Sequence, residues 1–476
     1  MRVVRCVAVG FMVVWPAAVS SYAQIPASIT VETRSVGGEV PENFIGLSFE
    51  VEKVLPDPRG EYFFSPNNKP LIAMFRTLGI RSLRVGGNTA DRSSVPVPGE
   101  RDIDALFSFA KVAGVKVIYT HRLHGGDPKR AAEISQYIMD HYESELSCFA
   151  IGNEPNVFAQ EYPGYLAEWR KYVDSIISPG HAPGASFCGP GATPGKVSWS
   201  GDFARDVRES GRIRFITQHA YPGGSGRRVL SARSARDSML SQSWVASYGA
   251  FFEQFVPTAR ELGIPYRLEE TNSFFHGGAD GASNSFASAL WGLDFMHWWA
   301  SHGAAGLNFH TGDSVAAGDA NAPCHYAVFT TVVEGFSIRP LGYALKAFDL
   351  GGRGKIVPIR VSSTAQDLNL TAYGVMTKDG ALTVTIINKE HGIEGHEVDM
   401  TVKLDRSFIK GEALFLTVSN QDVAATIGVT LGGFPIREDA TWQERWGPLS
   451  LDSEKKSFVV KIPAATAAVV RLHPLD

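Results

Sequence analysis

The chain has 476 residues, of which 44% are hydrophobic and 20% charged, so it can bury a large core and does not have a disordered composition. Its formal net charge of -4 gives no strong field, which argues against nucleic acid or a membrane surface as a partner. The length exceeds one small domain and suits a large α/β barrel with one smaller domain.

The N-terminus has the pattern of an export signal. Arg2 and Arg5 form a basic start, Val7–Val14 is apolar, and Ser21–Ala23 offers small residues at the positions that a signal peptidase reads. The apolar run is too short to span a bilayer. We therefore expect residues 1–23 to be cleaved and the mature protein to be secreted or periplasmic.

The cysteines do not indicate a disulfide scaffold or a metal site. Cys6 belongs to the predicted signal, and the three others cannot all pair within one chain. Cys148 and Cys188 stand in apolar runs, as buried small hydrophobes do. Since no pair has metal-ligand spacing with a histidine, we expect no metal, and we expect no organic cofactor either.

Residues 24–40 contain one strand candidate, and residues 41–350 alternate strand candidates with segments of helical periodicity. Eight such strands favour a parallel (β/α)8 TIM barrel over a sandwich, with a doubly wound open sheet as the alternative. No GxGxxG or Walker loop follows the first strand, which weakens a nucleotide-binding interpretation. The eight candidates are Phe44–Val51, Ser82–Gly86, Lys116–Thr120, Leu146–Asn153, Ala185–Gly189, Phe215–His219, Tyr266–Glu270 and Gly306–His310.

The pattern changes at Gly351–Gly354, a predicted linker. Short alternating strands with turn signals follow, for example Leu382–Ile386 and Ala467–Leu472, so we expect residues 351–476 to form an antiparallel β-sandwich. The strand of residues 24–40 joins this β-domain or caps the barrel floor.

Two carboxylates follow barrel strands, at the end where barrel enzymes place their active sites. Glu154 ends the fourth strand, and Glu269 and Glu270 end the seventh. Adjacent strand residues point to opposite faces, so we expect only one of the latter two to enter the barrel, and the pattern does not say which. Glycoside cleavage uses two carboxyl groups that face each other, and we expect Glu154 to be the acid/base and Glu270 the nucleophile. Asn153 is a candidate for binding the sugar 2-hydroxyl.

The chain resembles glycoside hydrolase family 79, the β-glucuronidase and heparanase family, over almost the whole mature length. The resemblance implies that the nucleophile is the glutamate before threonine, Glu270 rather than Glu269, and that the acid/base is Glu154. The motifs that carry it are Gly152–Asn156, Glu270–Ser273 followed by Gly277 and Gly278, Gly46–Glu50 and Arg84–Gly87.

The resemblance also implies how a uronate would be bound. In that family, backbone N–H groups before and within the glycines after strand seven hold the carboxylate, together with a tyrosine after strand eight. The matching positions here are His276 and Gly277, with Tyr326 as the tyrosine. Consecutive amides can form an anion-binding nest, which gives this assignment a physical basis.

Other polar residues at strand ends are weaker candidates for the substrate site. Glu50 and Asn88 could bind sugar hydroxyls, and His219 and Tyr221 at the end of strand six could orient the nucleophile. Each could equally be a rim or packing residue.

We expect the substrate to be a glucuronic-acid-containing oligosaccharide or polysaccharide, cleaved by a retaining exo-β-glucuronidase. The alternatives are an endo-acting heparanase-like enzyme, a retaining hydrolase of a neutral sugar, and a carbohydrate-binding protein without activity. An endo-acting enzyme on sulfated chains needs a cleft lined by cations, and only Arg227 and Arg228 suggest one, so exo action is favoured.

Overall fold

The computed structural model describes residues 25–195, 198–315, 322–365 and 367–475. The predicted signal, residues 1–23, lies outside the described residues. Within the described ranges, every helix is too short or too polar to cross a membrane.

Twenty-one strands and ten α-helices are present in the described residues. The strands are β1 (Ile25–Val31), β2 (Ile45–Glu50), β3 (Ser82–Gly86), β4 (Lys116–His121), β5 (Leu146–Ile151), β6 (Phe187–Ala192), β7 (Ile213–Ala220), β8 (Tyr266–Thr271), β9 (Leu307–His310), β10 (Phe329–Val332), β11 (Gly335–Ile338), β12 (Lys355–Val357), β13 (Ile359–Ser363), β14 (Leu370–Met376), β15 (Leu382–Asn388), β16 (Val398–Leu404), β17 (Phe408–Thr417), β18 (Thr430–Leu431), β19 (Gly447–Leu449), β20 (Ser457–Ile462) and β21 (Thr466–Pro474). The helices are α1 (Lys69–Thr77), α2 (Glu100–Ala113), α3 (Pro128–Tyr142), α4 (Pro155–Phe158), α5 (Tyr162–Ile177), α6 (Trp199–Val207), α7 (Ala232–Leu240), α8 (Gln242–Glu261), α9 (Phe286–Ser301) and α10 (Pro340–Gly351).

Strands β2 to β9 form a closed barrel in sequence order, with every neighbouring pair parallel and β9 hydrogen-bonded back to β2. This confirms the predicted TIM barrel, and each of the eight predicted strands is present. The strands are buried almost throughout because the barrel interior covers one face and the helices cover the other. The C-terminal ends of all eight strands therefore open at one end of the barrel.

The outer helix α2 is amphipathic, as its periodicity predicts, whereas α9 is buried on nearly every side. In α2 the apolar positions Ile103, Leu106, Phe107 and Ala110 are all buried, and the helix ends at Gly114, whose φ of 76° is the left-handed conformation that suits a helix C-terminus.

In the described residues, β10 and β11 form a separate two-stranded sheet, and the other strands outside the barrel form two sheets that pack through a shared apolar core. One sheet has the order β13-β1-β16-β20, so β1 lies between strands from the C-terminal part of the chain. The other has the order β12-β14-β15-β21-β17-β18 with β19 paired to β17, and its other face packs on the barrel helices. Lys389, directly after β15, forms a buried 2.9 Å ion pair with Asp294 of α9 and so joins this sheet to the barrel. The exact domain limits stay a prediction.

Candidate active site

A cavity of about 650 Å³ lies at the C-terminal ends of the barrel strands. Nine of the ten residues predicted for the site line it, which brings both proposed catalytic residues together with the proposed binding residues. Asn153 is the exception: it is buried, 4% exposed, beside the cavity. The nine lining residues are Glu50, Asn88, Glu154, His219, Tyr221, Glu270, His276, Gly277 and Tyr326.

Glu154 lies three residues after the end of β5 and directly before α4, in a left-handed backbone conformation with φ 48° and ψ 53°. A non-glycine residue in this region is strained, and such strain collects at functional sites. Its N–H donates to the carbonyl of Gly191 at 3.1 Å, and its Oε1 lies 2.9 Å from Nδ1 of His219. The turn and the imidazole together fix the carboxyl group at the cavity wall.

Glu270 lies on β8, with a side chain that is 8% exposed. Its Oε2 pairs with Nη1 of Arg84 at 2.5 Å, and its Oε1 accepts a hydrogen bond from the Tyr221 hydroxyl at 2.8 Å. Burial opposes ionisation, but the charges of His310, His219 and Arg84 and the Tyr221 hydrogen bond outweigh it and hold the pKa of Glu270 well below its ordinary value. Glu270 is therefore ionised, as a nucleophile must be.

The two carboxyl groups face each other closely. One oxygen of Glu154, one oxygen of Glu270 and one ring nitrogen of His219 all lie within 4.8 Å of one another. Such a group could offer three ligands to a metal ion, but the ion pair with Arg84 already balances the charge of Glu270. The arrangement fits a carboxylate pair that acts directly on a substrate.

Arg84 organises the floor of the site, and sequence reasoning did not single it out. The guanidinium has no exposed surface, and besides Glu270 it donates to Asn153 Oδ1 at 2.8 Å and to Ser48 Oγ at 3.1 Å. Asn153 is thus held by Arg84 beside the cavity, and its contact with a sugar hydroxyl stays a prediction. The signal for Arg84 was present: a cation stands in the middle of the otherwise apolar strand β3, where only a paired charge is tolerated.

Both Glu269 and Glu270 point into the barrel, so the prediction that only one of them enters is wrong. Thr217 of β7 pairs with Arg267 of β8, and the next pair is His219 with Glu270. One residue thus lies between the pairs on β7 but two lie between them on β8, so β8 has one extra residue. This β-bulge resets the alternation of side chains, so that two neighbours face inward. Glu269 lies deeper than Glu270, is 1% exposed, and accepts a 2.8 Å hydrogen bond from Thr217.

A second group of polar residues forms the opposite wall. Oε2 of Glu50 accepts hydrogen bonds from the N–H and the hydroxyl of Thr89, at 2.8 and 2.7 Å. Its Oε1 is 3.5 Å from Nε2 of His310, which ends β9. Burial lowers the pKa of His310, but the carboxylates of Glu270 and Glu50 outweigh burial and raise it above its ordinary value. His310 is therefore part of the site rather than of the rim.

The loop after β8 has the features of an anion-binding nest. His276, Gly277 and Gly278 have consecutive positive φ values of 61°, 82° and 88°. In the part of the chain that the structure describes, the N–H groups of His276 and Gly277 meet no hydrogen-bond acceptor. Tyr326 lies directly beside this loop, because a Cβ added to Gly278 would come 2.9 Å from the backbone nitrogen of Tyr326. His276, Gly277 and Tyr326, the residues that the resemblance implies, thus lie together at one side of the cavity.

Asp91, which the sequence analysis also did not predict for the site, links three barrel loops. Its Oδ1 accepts from the N–H groups of Leu123 and His124 at 2.6 and 2.9 Å, and its Oδ2 accepts from the N–H of Asn153 at 2.7 Å. Burial raises the pKa of Asp91 despite these three donors. The loops after β3, β4 and β5 are thereby fixed relative to each other, next to Glu154.

Comparison with known sequences gives two β-glucuronidases and no matching family model. The chain is 26% identical to a β-glucuronidase of Aspergillus niger over 199 residues, which cover 36% of this chain and 35% of the relative. It is 24% identical to a β-glucuronidase of Neurospora crassa over 360 residues, 61% of this chain and 62% of the relative. The chain thus spans about a third and somewhat under two thirds of the length of these relatives, and membership of family 79 stays a prediction.

Solved structures share the fold over nearly the whole chain. A 4-O-α-L-rhamnosyl-β-D-glucuronidase from Fusarium oxysporum matches with a TM-score of 0.68 and 19% identity, covering 94% of this chain and 99% of that one. A GH51 arabinofuranosidase from Xanthomonas axonopodis pv. citri matches with a TM-score of 0.66 and 13% identity, covering 94% and 100%. The solved structures show a shared fold, and the sequence similarity is to two glycoside hydrolases.

Proposed function

We propose that the protein is a retaining exo-β-glucuronidase, with Glu154 as acid/base and Glu270 as nucleophile. The observation that carries the proposal is the close approach of these carboxyl groups, with one oxygen of each within 4.8 Å. Retaining glycosidases keep their carboxyl groups about 5 Å apart, whereas inverting enzymes leave room for a water molecule at roughly 6.5–9.5 Å. The similarity to two β-glucuronidases supports the choice of sugar.

In the first step, protonated Glu154 donates its proton to the glycosidic oxygen while a carboxylate oxygen of Glu270 attacks the anomeric carbon. The bond between this carbon and the leaving oxygen breaks, and a covalent glycosyl-enzyme forms. Arg84 and the Tyr221 hydroxyl keep Glu270 ionised and oriented before the attack.

In the second step, Glu154 is ionised and removes a proton from water, which attacks the anomeric carbon and releases Glu270. The product keeps the configuration of the substrate, and Glu154 regains its proton. Nδ1 of His219 lies 2.9 Å from Oε1 of Glu154, and a proton on this nitrogen stabilises the charge that Glu154 carries between the two steps.

The N–H groups of His276 and Gly277 supply the contact for the uronate carboxylate, together with Tyr326. The positive φ values of this loop and its position in the cavity lining support this role. A neutral sugar would not need such a nest, so the loop favours a glucuronide over an arabinoside or a xyloside.

The charge of the cavity favours exo action. Its described lining carries four glutamates, Glu50, Glu52, Glu154 and Glu270, but only one lysine and one arginine, Lys53 and Arg227. A cleft for a sulfated polysaccharide needs an excess of cations. An endo-acting heparanase-like enzyme is therefore the second candidate, and a binding protein without activity is disfavoured by the complete carboxylate pair.

Azide rescue tests the mechanism. We expect Glu270→Ala to lose at least about 10⁴-fold in kcat/KM on aryl β-D-glucuronides, and Glu154→Ala to lose about as much on a phenyl β-D-glucuronide, whose poor leaving group needs acid assistance. Azide added to Glu154→Ala should give the β-glucuronyl azide, because attack on the glycosyl-enzyme needs no base. Azide added to Glu270→Ala should give the α-azide, because it replaces the nucleophile. Glu168→Gln, on the exposed face of α5, is the control and should stay near wild type.

Exchanged product stereochemistry between the two variants would contradict the assigned roles. Proton NMR of the first-formed sugar from the wild type adds an independent check: the β-anomer supports retention, and the α-anomer excludes it.

We further propose that the protein acts outside the cytoplasm, on the basis of the basic and apolar pattern in residues 1–23. Expression of the full chain in a bacterial host, followed by N-terminal sequencing of the exported protein, tests this. A mature protein that starts close to Gln24 supports export, and an intact cytoplasmic chain contradicts it.

A further inference from the structure

A third carboxylate lies beneath the proposed catalytic pair, and the two-step mechanism gives it no role. Glu269 is 1% exposed and lies inside the barrel because of the bulge in β8. Its Oε1 accepts from the Thr217 hydroxyl at 2.8 Å and stands 3.9 Å from Nε2 of His219. A carboxylate is rarely buried unless its charge is balanced, so the neighbouring imidazole is the group to examine.

Both ring nitrogens of His219 face carboxyl oxygens. Nδ1 is 2.9 Å from Glu154 and 3.8 Å from Glu270, and Nε2 faces Glu269. The ring has no exposed surface, and Nε2 makes no hydrogen bond within the described residues. A neutral imidazole carries one proton and would turn a lone pair toward one of these oxygens. A ring with protons on both nitrogens turns an N–H toward a carboxyl oxygen on each side, and at 3.9 Å the contact of Nε2 with Glu269 is one of charge rather than a hydrogen bond.

The charges beside the ring fit this state. Glu154 must be protonated to act as an acid, so the carboxylates that face the ring are those of Glu269 and Glu270. Arg84 pairs with Glu270 at 2.5 Å, and a doubly protonated His219 brings a positive charge to 3.9 Å from Glu269.

We propose that Glu269 is a positioning residue that keeps His219 protonated on both nitrogens, so that Nδ1–H always points at Oε1 of Glu154. This inference rests on the proposed acid/base role of Glu154. Because Oε1 of Glu154 then always accepts, the acidic proton stays on Oε2 and can be passed to the glycosidic oxygen. His219 and Glu269 end each turnover with the protons that they started with.

The backbone supports the same coupling. The N–H of Gly191 donates to Thr217 Oγ1 at 3.0 Å, and its carbonyl accepts from the N–H of Glu154 at 3.1 Å. Gly191 has φ 64°, and a Cβ at this position would lie 2.4 Å from Oε1 of Glu269. The turn next to Glu154 is thus shaped around the buried carboxylate.

The variant Glu269→Gln separates charge from packing. The amide keeps the size and the acceptor for Thr217, and the same oxygen faces Nε2 of His219. We expect the neutral ring to keep its proton on Nε2 and to lose it from Nδ1. The lone pair on Nδ1 then draws the acidic proton of Glu154 to Oε1, away from the substrate.

NMR of histidine ring nitrogens in the ¹⁵N-labelled protein measures this directly, with the His219 signals assigned by their loss in His219→Gln. The expected result is that both nitrogens are protonated in the wild type and that Nδ1 shifts to the unprotonated range in Glu269→Gln. An unchanged Nδ1 signal would overturn the proposal. Because this measurement needs no turnover, it decides the proposal even where the proposed glucuronidase activity fails.

Kinetics give a second readout on whichever aryl glycoside the wild type hydrolyses. Glu269→Gln should lose about 10²-fold in kcat/KM on a phenyl glycoside, which needs acid assistance, and less than about two-fold on a 2,4-dinitrophenyl glycoside, which does not. Equal losses on both substrates would show a merely structural role and overturn the proposal. In the His219→Gln background, Glu269→Gln should cost nothing further, and additive losses would also overturn it.

Thr217→Val is the second variant, for the case that Glu269→Gln does not fold. It removes the hydroxyl that orients Oε1 of Glu269 and leaves the charge in place. We expect the same leaving-group dependence, weaker than in Glu269→Gln, and a uniform loss on both substrates would again contradict the proposal.

Discussion

Arg84 and Glu270 form a 2.5 Å ion pair inside the barrel, and the guanidinium has no exposed surface. The pair joins strands β3 and β8 across the floor of the cavity and connects Glu270 to Asn153, the neighbour of Glu154. One buried cation thus fixes the charge of the proposed nucleophile and the backbone next to the proposed acid.

Removing this cation should raise the pKa of Glu270. In Arg84→Gln we expect kcat/KM to fall about 10²-fold and the acid limb of its pH profile to move to higher pH. The reason is that the ionised carboxyl of Glu270 loses the positive charge that stabilises it. The pH dependence of kcat/KM on an aryl glucuronide measures both effects. Arg205→Gln on the exposed part of α6 is the matched control. An acid limb in the wild-type position would contradict this role of Arg84.

Glu270 should also make folding pH-dependent. Its pKa is lower in the folded protein than in the unfolded chain, so its ionisation stabilises the fold above the ordinary carboxyl pKa of about 4.3 and this stabilisation is lost as the pH falls below that value. The difference in free energy of unfolding between wild type and Glu270→Gln should therefore be largest near neutral pH and shrink in acid. Urea unfolding at several pH values measures it, and a constant difference would count against the ion pair.

Tyr221 donates a 2.8 Å hydrogen bond to Glu270 and lines the cavity. Tyr221→Phe removes only this hydroxyl, so we expect kcat to fall roughly 10-fold, because a charge-assisted hydrogen bond of about 1.5–3 kcal/mol no longer orients Glu270. Steady-state kinetics and a thermal melt of the same preparation check this. A large fall in Tm without a change in kcat would assign the tyrosine to packing instead.

Asp91 accepts three backbone hydrogen bonds from the loops after β4 and β5. In Asp91→Ala these buried N–H groups lose their acceptor at a cost of about 1–3 kcal/mol each, and the strained turn at Glu154 loses its support. We expect a lower Tm and at least a 10-fold fall in kcat/KM. Asp127→Ala removes a helix cap from α3 and should lower the Tm without this kinetic effect. Equal kinetic effects in the two variants would contradict the loop-tying role.

His276 has φ 61°, a conformation that glycine adopts without strain. His276→Gly should therefore fold at least as well and keep glucuronide hydrolysis. His276→Pro removes the N–H and demands φ near -65°, so the nest should be lost and KM for a glucuronide should rise at least 10-fold. Comparing KM for a glucuronide and for the matching glucoside tests this. Equal effects of the proline on both sugars would contradict uronate binding at this loop.

The sequence predicts the barrel well because its signals are local. Strand runs, helical periodicity and glutamates at strand ends each depend on neighbouring residues, and the structure confirms the resulting TIM barrel. Three features escape such reasoning. The inward turn of Glu269 depends on a bulge in the pairing of β7 with β8, and the contacts of Arg84 and Asp91 join loops or strands that are distant in sequence. Periodicity within one strand does not reveal a bulge in its pairing with a neighbouring strand.

The most direct test of the account is hydrolysis of p-nitrophenyl β-D-glucuronide beside the β-glucoside, the β-xyloside and the α-L-arabinofuranoside. We predict release from the glucuronide alone, with loss of this activity in Glu154→Gln and Glu270→Gln. Hydrolysis of a neutral glycoside and not of the glucuronide would contradict the proposed specificity and leave the two-glutamate mechanism standing. Turnover of none of the four, with internal fragments released from heparan sulfate, would contradict exo action and favour the heparanase-like alternative.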